Sequence, residues 1–459
     1  MAATTKEAAA AAGRALAADG PLTKLVIAIH GIGDQYRYAT IQSVVTRFGR
    51  YFDFPAAVPL GSFHAPTGSL RAFHFRPPPS IPNNLGDVGF AEAYWADIPR
   101  AIQTAGYTLE ESKAWARTVV ERVRARYGHY NQRGVDPLNL QTKDFRDAAF
   151  VLQEMIETIH LIGNLLFLAE KAGLPKFSLD DLLTAYLGDV QLVADFEGYR
   201  FKILAQLREV IDTLWAQLNE QQCKPEIYLV AHSEGTVVAF MALLQAMSLP
   251  MNGEIAPPAR PEWIDYVRGF MTIGSPIDKH LILWPDIWRA FFKPGKLPAT
   301  RIKWRNYYDY GDPVGFDLDT ARDWMREPDH PWSSAFEFEP EHDFGFSRYV
   351  LPGEAHNEYW NDGGVFGHFI QTVMGIPTVG GRNFAPPPPS HWWARVGSYC
   401  IPYIFGLILL YTGTYFLYKS LHGYVAPPPA QAVSSSTVSD QDNAYLIRWW
   451  HEYKRTRNQ

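Results

Sequence analysis

Residues 226–240, EIYLVAHSEGTVVAF, form the stretch that decides the fold. Its first half is a short apolar run with β-branched and aromatic residues, which predicts a buried strand of a parallel sheet. Residues 236–247 are apolar on nearly every side and predict a buried helix. Ser233 lies between the two, and the small residues Ala231 and Gly235 lie two positions before and after it. A tight turn from strand to helix is therefore predicted at Ser233.

The small neighbours of Ser233 have a steric reason. A larger side chain at Ala231 or Gly235 would collide with neighbouring backbone in a strained turn. The turn lifts the Ser233 hydroxyl clear of the sheet and places it at a helix N-terminus, where backbone N–H groups stabilise a negative oxygen. Pentads of the form G-x-S-x-G also occur by chance, and Ala231 departs from the form, so the pattern needs support from elsewhere in the chain.

The composition limits the classes of protein to consider. The 459 residues suffice for two or three domains or one large domain with insertions, and the hydrophobic content of 47% supports a sizeable core. Lys and Arg number 42 against 48 Asp and Glu, and the net charge of −6 does not favour a nucleic-acid surface. The two cysteines, Cys223 and Cys400, predict no structural disulfide. Residues 1–21 predict a flexible arm without the apolar core of a signal peptide.

A second strand followed by a loop lies near the start of the chain. Residues 25–29 are LVIAI, and His30, Gly31, Ile32 and Gly33 come directly after them. The glycines allow a sharp turn that exposes backbone N–H groups. A plain turn and a phosphate-binding loop both use similar stretches. Nucleotide binding is not expected, because the sequence has neither G-x-G-x-x-G nor the Lys-Ser/Thr pair of a Walker loop here.

Helical patterns dominate the middle of the chain. A helix is predicted over 37–51 and strands near 70–75 and 90–95, after which few strand signals remain as far as residue 222. We predict that 98–222 forms a helical cap or insertion. Within it, 150–169 has apolar residues at helical spacing. A mobile lid and an ordinary core helix both fit that pattern, and the core helix is favoured.

Strands and helices alternate again after the central stretch. A strand closed by a breaker is predicted over 267–276, and another strand, followed by a loop, over 299–308. Repeated strand–helix units predict an α/β fold with a mostly parallel sheet, whose ligands bind beyond the carboxyl ends of the strands. Ser233, Asp312 and His356 all follow predicted strands or lie in loops, in that order along the chain.

Four separated motifs resemble serine hydrolases of the α/β-hydrolase fold, in the lipase and esterase branch. They are HGIG at 30–33, AHSEG at 231–235, DPVG at 312–315, and His356 followed by Tyr359 and Trp360. Four matches in the right order are more specific than any one of them. The resemblance implies an α/β-hydrolase domain over 22–378 that contains the helical insertion.

The resemblance implies a role for each motif. Ser233 is the expected nucleophile, His356 the base that takes its proton, and Asp312 the carboxylate that orients the imidazole. The backbone N–H groups of Ile32 and Glu234 are the expected oxyanion hole. No cofactor is expected, and no metal, because the 14 histidines show no paired ligand spacing with Cys, Asp or Glu.

Other residues compete for the roles of acid and base, namely Asp309, Asp317, His330, His342 and His368. Asp312 is preferred among the carboxylates because DPVG follows the strand as it does in similar enzymes. His232 adjoins the nucleophile, but we expect its side chain to point away across the turn and to pack. Glu234 is unusual after a nucleophile, and its carboxylate could disfavour anionic substrates.

The C-terminal part of the chain predicts a membrane anchor. Residues 379–395 form a Gly/Pro-rich linker, and 396–418 are uncharged over a length that suits a transmembrane helix, with a buried helix as the alternative. Aromatic residues flank this segment as in an interfacial belt. Residues 419–459 predict a flexible tail with an interfacial helix over 444–455. A single span near the C-terminus, without a signal peptide, favours a cytosolic catalytic domain.

The sequence therefore predicts a membrane-anchored serine carboxylester hydrolase that acts on lipid or other apolar esters, without a nucleic-acid partner. Two alternatives stay open: an interaction protein that keeps the fold without turnover, and a lipase-like toxin delivered to other cells. The sequence does not decide the oligomeric state, the head group of the substrate, or whether 98–222 contains a mobile lid.

Overall fold

The computed structural model divides the chain into two units, Met1–Pro402 and Tyr403–Gln459. The structure describes residues 22–32, 36–52, 58–65, 68–75, 88–104, 118–119, 121, 190–220, 222–249, 259–291, 293–312, 314–328, 332–349, 352–378, 381–384, 407, 410–415 and 418–419. The predicted arm at 1–21 lies outside these residues, as do most of the linker and of the tail.

A nine-stranded sheet forms the centre of the first unit within the described residues. Its strands are β1 (Lys24–Ile29), β2 (Val58–Ala65), β3 (Gly68–Phe75), β4 (Val88–Ala93), β5 (Glu226–His232), β6 (Val267–Ile273), β7 (Ile302–Asp309), β8 (Phe336–Glu337) and β9 (Asp343–Phe346). The order is β2-β3-β4-β1-β5-β6-β7-β8, and β9 pairs with β7. The pairs β2-β3 and β3-β4 are antiparallel. The other pairs are parallel, so the predicted α/β class with a mostly parallel sheet is confirmed.

Helices cover both faces of this sheet. They are α1 (Ala39–Tyr51), α2 (Asp97–Thr104), α3 (Glu197–Glu220), α4 (Glu234–Met247), α5 (Ile277–Leu283), α6 (Pro285–Trp288), α7 (Asp319–Met325), α8 (Pro352–Asn357) and α9 (Gly363–Thr372). Along β1, Leu25, Ile27 and Ile29 join one apolar cluster, whereas Val26 and Ala28 join another. This alternation follows from the two-residue repeat of a strand. The first cluster includes α3 and α4, and the second includes α1 and α9.

The last helix of the predicted insertion belongs to the main core. Helix α3 buries Ile203, Leu207, Ile211 and Leu214 in the same apolar cluster as α4 and the central strands. The sequence predicts a helical cap or insertion over 98–222, and its last helix, α3, packs in the core of the sheet domain. The apolar stripe of α3 packs against the sheet domain itself, and helical periodicity does not reveal which apolar surface a stripe will face. The segment 150–169 lies outside the described residues.

Three strands were not predicted. β2 contains Pro59 and Gly61, which weaken a strand pattern, and its register with β3 shifts between these two residues. β8 has only two residues, and β9 contains Asp343 and Gly345, which are residue types depleted in strands. All three strands pair at or near an edge of the sheet, where side chains need not alternate as cleanly as they do in the centre.

The second unit is described only in part. Residues 407, 410–415 and 418, all within the predicted transmembrane segment 396–418, are helical, and their apolar side chains such as Leu407, Leu410 and Tyr411 are exposed. In the part of the chain that the structure describes, no helix has both the length and the apolar character that crossing a bilayer requires. The rest of 396–418 and the segment 444–455 lie outside that part.

Candidate active site

Ser233 forms the turn between β5 and α4. Its backbone has a φ of 53° and a ψ of −134°, a conformation that residues other than glycine rarely adopt. The Ser233 N–H donates to the Ile273 carbonyl at 3.0 Å. The Ser233 carbonyl accepts from the N–H and the Oγ1 hydroxyl of Thr236, at 2.9 Å and 2.7 Å. These bonds hold the strained residue at the N-terminus of α4.

Two glycines let the loop after β1 pack directly against this turn. A Cβ atom on Gly235 would lie 2.2 Å from the His30 carbonyl oxygen. A Cβ atom on Gly31 would lie 2.7 Å from the Ser233 Cβ. Real atoms do not approach so closely, so both positions require glycine unless the backbone moves. The backbone that a larger residue at 235 would strike is therefore that of His30, at the end of β1.

The structure brings Ser233, His356 and Asp312 together. The Nε2 atom of His356 lies 3.0 Å from the Ser233 Oγ, and its Nδ1 atom lies 2.9 Å and 3.0 Å from the two carboxylate oxygens of Asp312. All three side chains are buried. When Nδ1 donates its proton to Asp312, the lone pair on Nε2 faces the serine hydroxyl. That is the tautomer which a general base needs.

Asp312 is an ionised carboxylate in a buried place. Burial by itself raises the pKa of a carboxyl group. Interaction with His356 and hydrogen bonds from the Val314 and Gly315 N–H groups outweigh this effect and lower the pKa of Asp312 to about 2. Tyr359 adds a further donor, because its hydroxyl lies 2.8 Å from the Asp312 Oδ2. The carboxylate therefore carries its charge at neutral pH and faces the imidazole.

The competing carboxylates have other surroundings. Asp309 is buried, and its two oxygens accept the N–H groups of Gly311 and Arg348 at 2.8 Å each. Burial raises the pKa of Asp309 despite these bonds. Asp317 is exposed. Asp309 therefore fixes the backbone around the end of β7, and it is Asp312 that is bonded to His356.

The competing histidines are bonded elsewhere. The Nδ1 atom of His342 accepts the Glu339 N–H at 3.0 Å, and the Nδ1 atom of His368 lies 2.7 Å from the Tyr307 hydroxyl. His330 lies outside the described residues. Of the two described histidines that compete with His356 in the sequence, one is therefore bonded to Glu339 and the other to Tyr307, whereas His356 is within hydrogen-bond distance of the Ser233 hydroxyl.

The two expected oxyanion donors lie on the loops that meet at Ser233. Glu234 is the first residue of α4, and an N–H in the first turn of a helix has no intrahelical acceptor. Ile32 follows Gly31, which approaches the Ser233 side chain closely. The loop after β1 and the start of α4 thus bring the Ile32 and Glu234 backbones to the neighbourhood of the nucleophile.

His30 braces the loop that carries Ile32. Its Nδ1–H donates to the Gly31 carbonyl at 2.6 Å, and its Nε2 accepts the Trp95 N–H at 3.0 Å. The imidazole stacks on the Trp95 ring with centroids 5.1 Å apart. Burial lowers the pKa of His30 to about 4, so the ring is neutral at physiological pH and can accept the Trp95 hydrogen bond. The HGIG motif contains His30, but the motif alone does not predict this role of the imidazole.

The side chain of Glu234 is turned into the protein. Its Oε2 atom lies 3.0 Å from the Nε2 atom of His280 in α5, and both side chains are almost fully buried. The carboxylate that could have disfavoured anionic substrates is thus held against an imidazole. Nothing in the sequence spacing links Glu234 to His280, which lies beyond the next strand.

The prediction that the His232 side chain packs is confirmed, but the prediction that it points away from the site is wrong. Its Nε2–H donates to the His356 carbonyl at 2.7 Å, and the two imidazole centroids are 4.8 Å apart. Strand residues alternate between faces, and Val230 and Tyr359 share the apolar cluster on the face where His232 lies. Burial lowers the pKa of His232 to about 3, which keeps this donor neutral. His232 therefore supports the backbone that carries His356.

No protein-family model, curated protein or solved structure matches this chain. No group of His, Cys, Asp and Glu suitable for a metal ion occurs among the residues that the structure describes. The case for function therefore rests on the geometry of the site and on the sequence motifs. A hydroxyl, an imidazole and a carboxylate joined in this order constitute the chemistry of a serine nucleophile activated by a general base.

The contact between Gly235 and His30 can be tested by adding one methyl group. We expect Gly235→Ala to lower the free energy of unfolding by about 2 kcal/mol, because the new Cβ meets backbone that has no room to move. The control is Gly198→Ala in α3, where a Cβ meets nothing within 4 Å. There alanine should stabilise the helix by about 0.5–1 kcal/mol. Urea denaturation measures both, and equal unfolding midpoints for the two variants would contradict the proposed packing.

Proposed function

We propose that this protein is a serine ester hydrolase that works through an acyl-enzyme intermediate. The observation that carries the proposal is the continuous chain from the Ser233 Oγ through His356 to the ionised Asp312, at 3.0 Å and 2.9 Å. The serine lies on a strained turn at a helix N-terminus, where an oxyanion is favoured. A protein has no structural need for these three features in combination.

Each residue has a defined task in the proposed reaction. The Ser233 Oγ attacks the ester carbonyl carbon while its proton passes to the His356 Nε2. The carbonyl electron pair moves onto the oxygen, which the N–H groups of Ile32 and Glu234 stabilise. The tetrahedral intermediate expels the alcohol, which takes the proton from His356. Water then attacks the acyl carbon and gives a proton to His356, and His356 passes this proton to the Ser233 oxygen as the acid leaves.

The fold supports the same proposal in its finer form, an α/β-hydrolase fold. The proposed nucleophile follows the central strand β5, and the proposed acid follows β7, two strands further along the parallel part of the sheet. The carboxyl edge of a parallel sheet is where such folds bind their ligands. The chain order Ser, Asp, His agrees with that of α/β-hydrolases.

We also propose that the substrate is a lipid or another apolar ester and that residues 396–418 anchor the protein in a membrane. The support comes from the uncharged sequence of this segment and its aromatic flanks. Anchoring keeps an enzyme at high local concentration relative to substrates in the same bilayer. In this arrangement the hydrolase domain lies on the cytosolic side. A toxin of the same chemistry would share the site and differ in its route of delivery.

The reaction type can be tested with a fluorophosphonate probe, which labels activated serines. We expect the protein to react with the probe and to hydrolyse short p-nitrophenyl esters. Ser233→Ala should abolish both, because the proposed acyl intermediate forms on the Ser233 oxygen. The control is Ser248→Ala at the opposite end of α4, where the hydroxyl donates only to the Leu244 carbonyl in its own helix. That variant should keep both activities.

Two results would count against the proposal. Hydrolysis that survives in purified Ser233→Ala would place the nucleophile elsewhere. A folded wild-type protein that neither labels nor hydrolyses any ester would favour the alternative, an interaction protein that keeps the fold without turnover.

The membrane anchor requires a separate experiment. We expect the full chain to sediment with membranes, to resist alkaline carbonate, and to need detergent for release. A chain shortened to residues 1–389 should be soluble and should hydrolyse water-soluble esters at the same kcat/KM, because every proposed catalytic motif precedes residue 389. Release of the full chain by carbonate would show that 396–418 does not span a bilayer.

A further inference from the structure

Tyr359 lies directly behind the proposed acid. It belongs to a 3-10 turn, Glu358–Asn361, that follows α8, the helix that carries His356. Its side chain is fully buried. Its hydroxyl donates to the Asp312 Oδ2 at 2.8 Å and accepts the Asp309 N–H at 2.6 Å. One phenol therefore joins the carboxylate to the backbone at the end of β7.

With Tyr359, the carboxylate of Asp312 has a donor on each oxygen besides His356. The Oδ1 atom accepts the Val314 N–H at 2.8 Å, and Oδ2 accepts the Tyr359 hydroxyl. A planar carboxylate held at both oxygens cannot rotate without losing one of these bonds. The imidazole that faces it is then restrained as well, because its Nδ1 lies within 3.0 Å of both oxygens.

The backbone around this carboxylate leaves no room for a larger group. A Cβ on Gly274, whose φ is 58°, would lie 2.8 Å from the Tyr359 ring and 2.9 Å from the Asp312 Oδ2. A Cβ on Gly315 would lie 2.6 Å from the same oxygen. Glycine at both positions therefore leaves the space that the contact between Tyr359 and Asp312 requires.

We propose that Tyr359 is a positioning residue for the reaction, which holds the Asp312 carboxylate in place and withdraws part of its charge. The reactive chain then has four members, Tyr359, Asp312, His356 and Ser233. This inference rests on the proposed function. Removal of the phenol hydroxyl leaves a more basic and less restrained carboxylate, which binds the protonated imidazole more strongly. His356 in the free enzyme then becomes protonated at a higher pH, and a protonated His356 cannot act as the base.

Among the residues that the structure describes, His232 and Asp309 are two further titratable groups that contact this chain of hydrogen bonds. His232 contacts His356 from β5, and burial lowers the pKa of His232 to about 3, so it stays neutral above that pH. Asp309 contacts Tyr359 from the end of β7 through its N–H group, and burial raises the pKa of Asp309. Both groups remain in the two variants compared below, but Tyr359→Phe also removes the acceptor of the Asp309 N–H. The NMR measurement below therefore observes the contact between His356 and Asp312 directly.

The test compares Tyr359→Phe with Tyr307→Phe in the full-length protein. Tyr307 is also fully buried, and its hydroxyl lies 2.7 Å from the His368 Nδ1. Tyr307→Phe therefore also removes a buried, hydrogen-bonded hydroxyl, but one that is not bonded to Asp312. In Tyr359→Phe, we expect kcat on a soluble ester to fall roughly tenfold. We expect the acid limb of the pH profile of kcat/KM, which reports the protonation of His356, to move to higher pH by about half a unit. In Tyr307→Phe, neither quantity should change.

A second measurement does not depend on activity. The proton between the His356 Nδ1 and Asp312 should give a low-field NMR signal, and Tyr359→Phe should shift that signal whereas Tyr307→Phe should not. Replacement of Tyr359 by 3-fluorotyrosine keeps the shape and strengthens the donor. It should move the acid limb in the opposite direction, and it provides a test if the phenylalanine variant fails to fold.

The outcomes separate this inference from the proposed function. An unshifted NMR signal in a folded Tyr359 variant overturns the inference, whatever the activity. A shifted signal with an unmoved acid limb in an active enzyme overturns the positioning role of Tyr359 in the reaction. A wild-type protein whose Ser233 neither labels nor turns over overturns the proposed function, and with it the catalytic part of the inference.

Discussion

The contact between the loop after β1 and the turn at Ser233 is the constraint on which the site depends. Gly235 lies beneath the His30 carbonyl, and Gly31 lies against the Ser233 side chain, so neither loop can move alone. The positive φ of Ser233 is costly for a serine, and it persists because the surrounding hydrogen bonds determine it. Strain at this residue places the hydroxyl at a helix N-terminus and beside the Ile32 loop.

Buried polar side chains hold the residues around this contact in position. Asp312 orients His356, His232 holds the His356 carbonyl, and His30 braces the loop beside them. Burial keeps His30 and His232 neutral, so each can donate through one ring nitrogen without placing a second cation near His356. Among these supporting groups, the carboxylate of Asp312 carries the charge at rest. Such an arrangement would stabilise the cation that forms on His356 in the proposed reaction.

Much of the fold and of the site could be predicted from the sequence, because the signals were local. The apolar run of β5, the small residues around Ser233 and the chain order Ser, Asp, His are visible without a structure. The supporting residues could not be predicted, because they act across the fold. Tyr359 meets Asp312 only after β7 and α8 have packed, and the stripe of α3 does not reveal that it faces the sheet. The orientation of the His232 side chain could not be predicted either, because it depends on α8, which carries His356 and packs at the end of β5.

The central claim is that Asp312, rather than its buried neighbour Asp309, activates the imidazole. The most direct test is kcat on a soluble ester for Asp312→Asn and Asp309→Asn, each with its urea unfolding midpoint. Asparagine at 312 would hold the wrong tautomer of His356, so kcat should fall by roughly 10⁴ in a protein that remains folded. Asparagine at 309 should alter the midpoint far more than kcat, because that carboxylate bonds only to backbone N–H groups. A large loss of kcat at 309 with little loss at 312 would contradict the account.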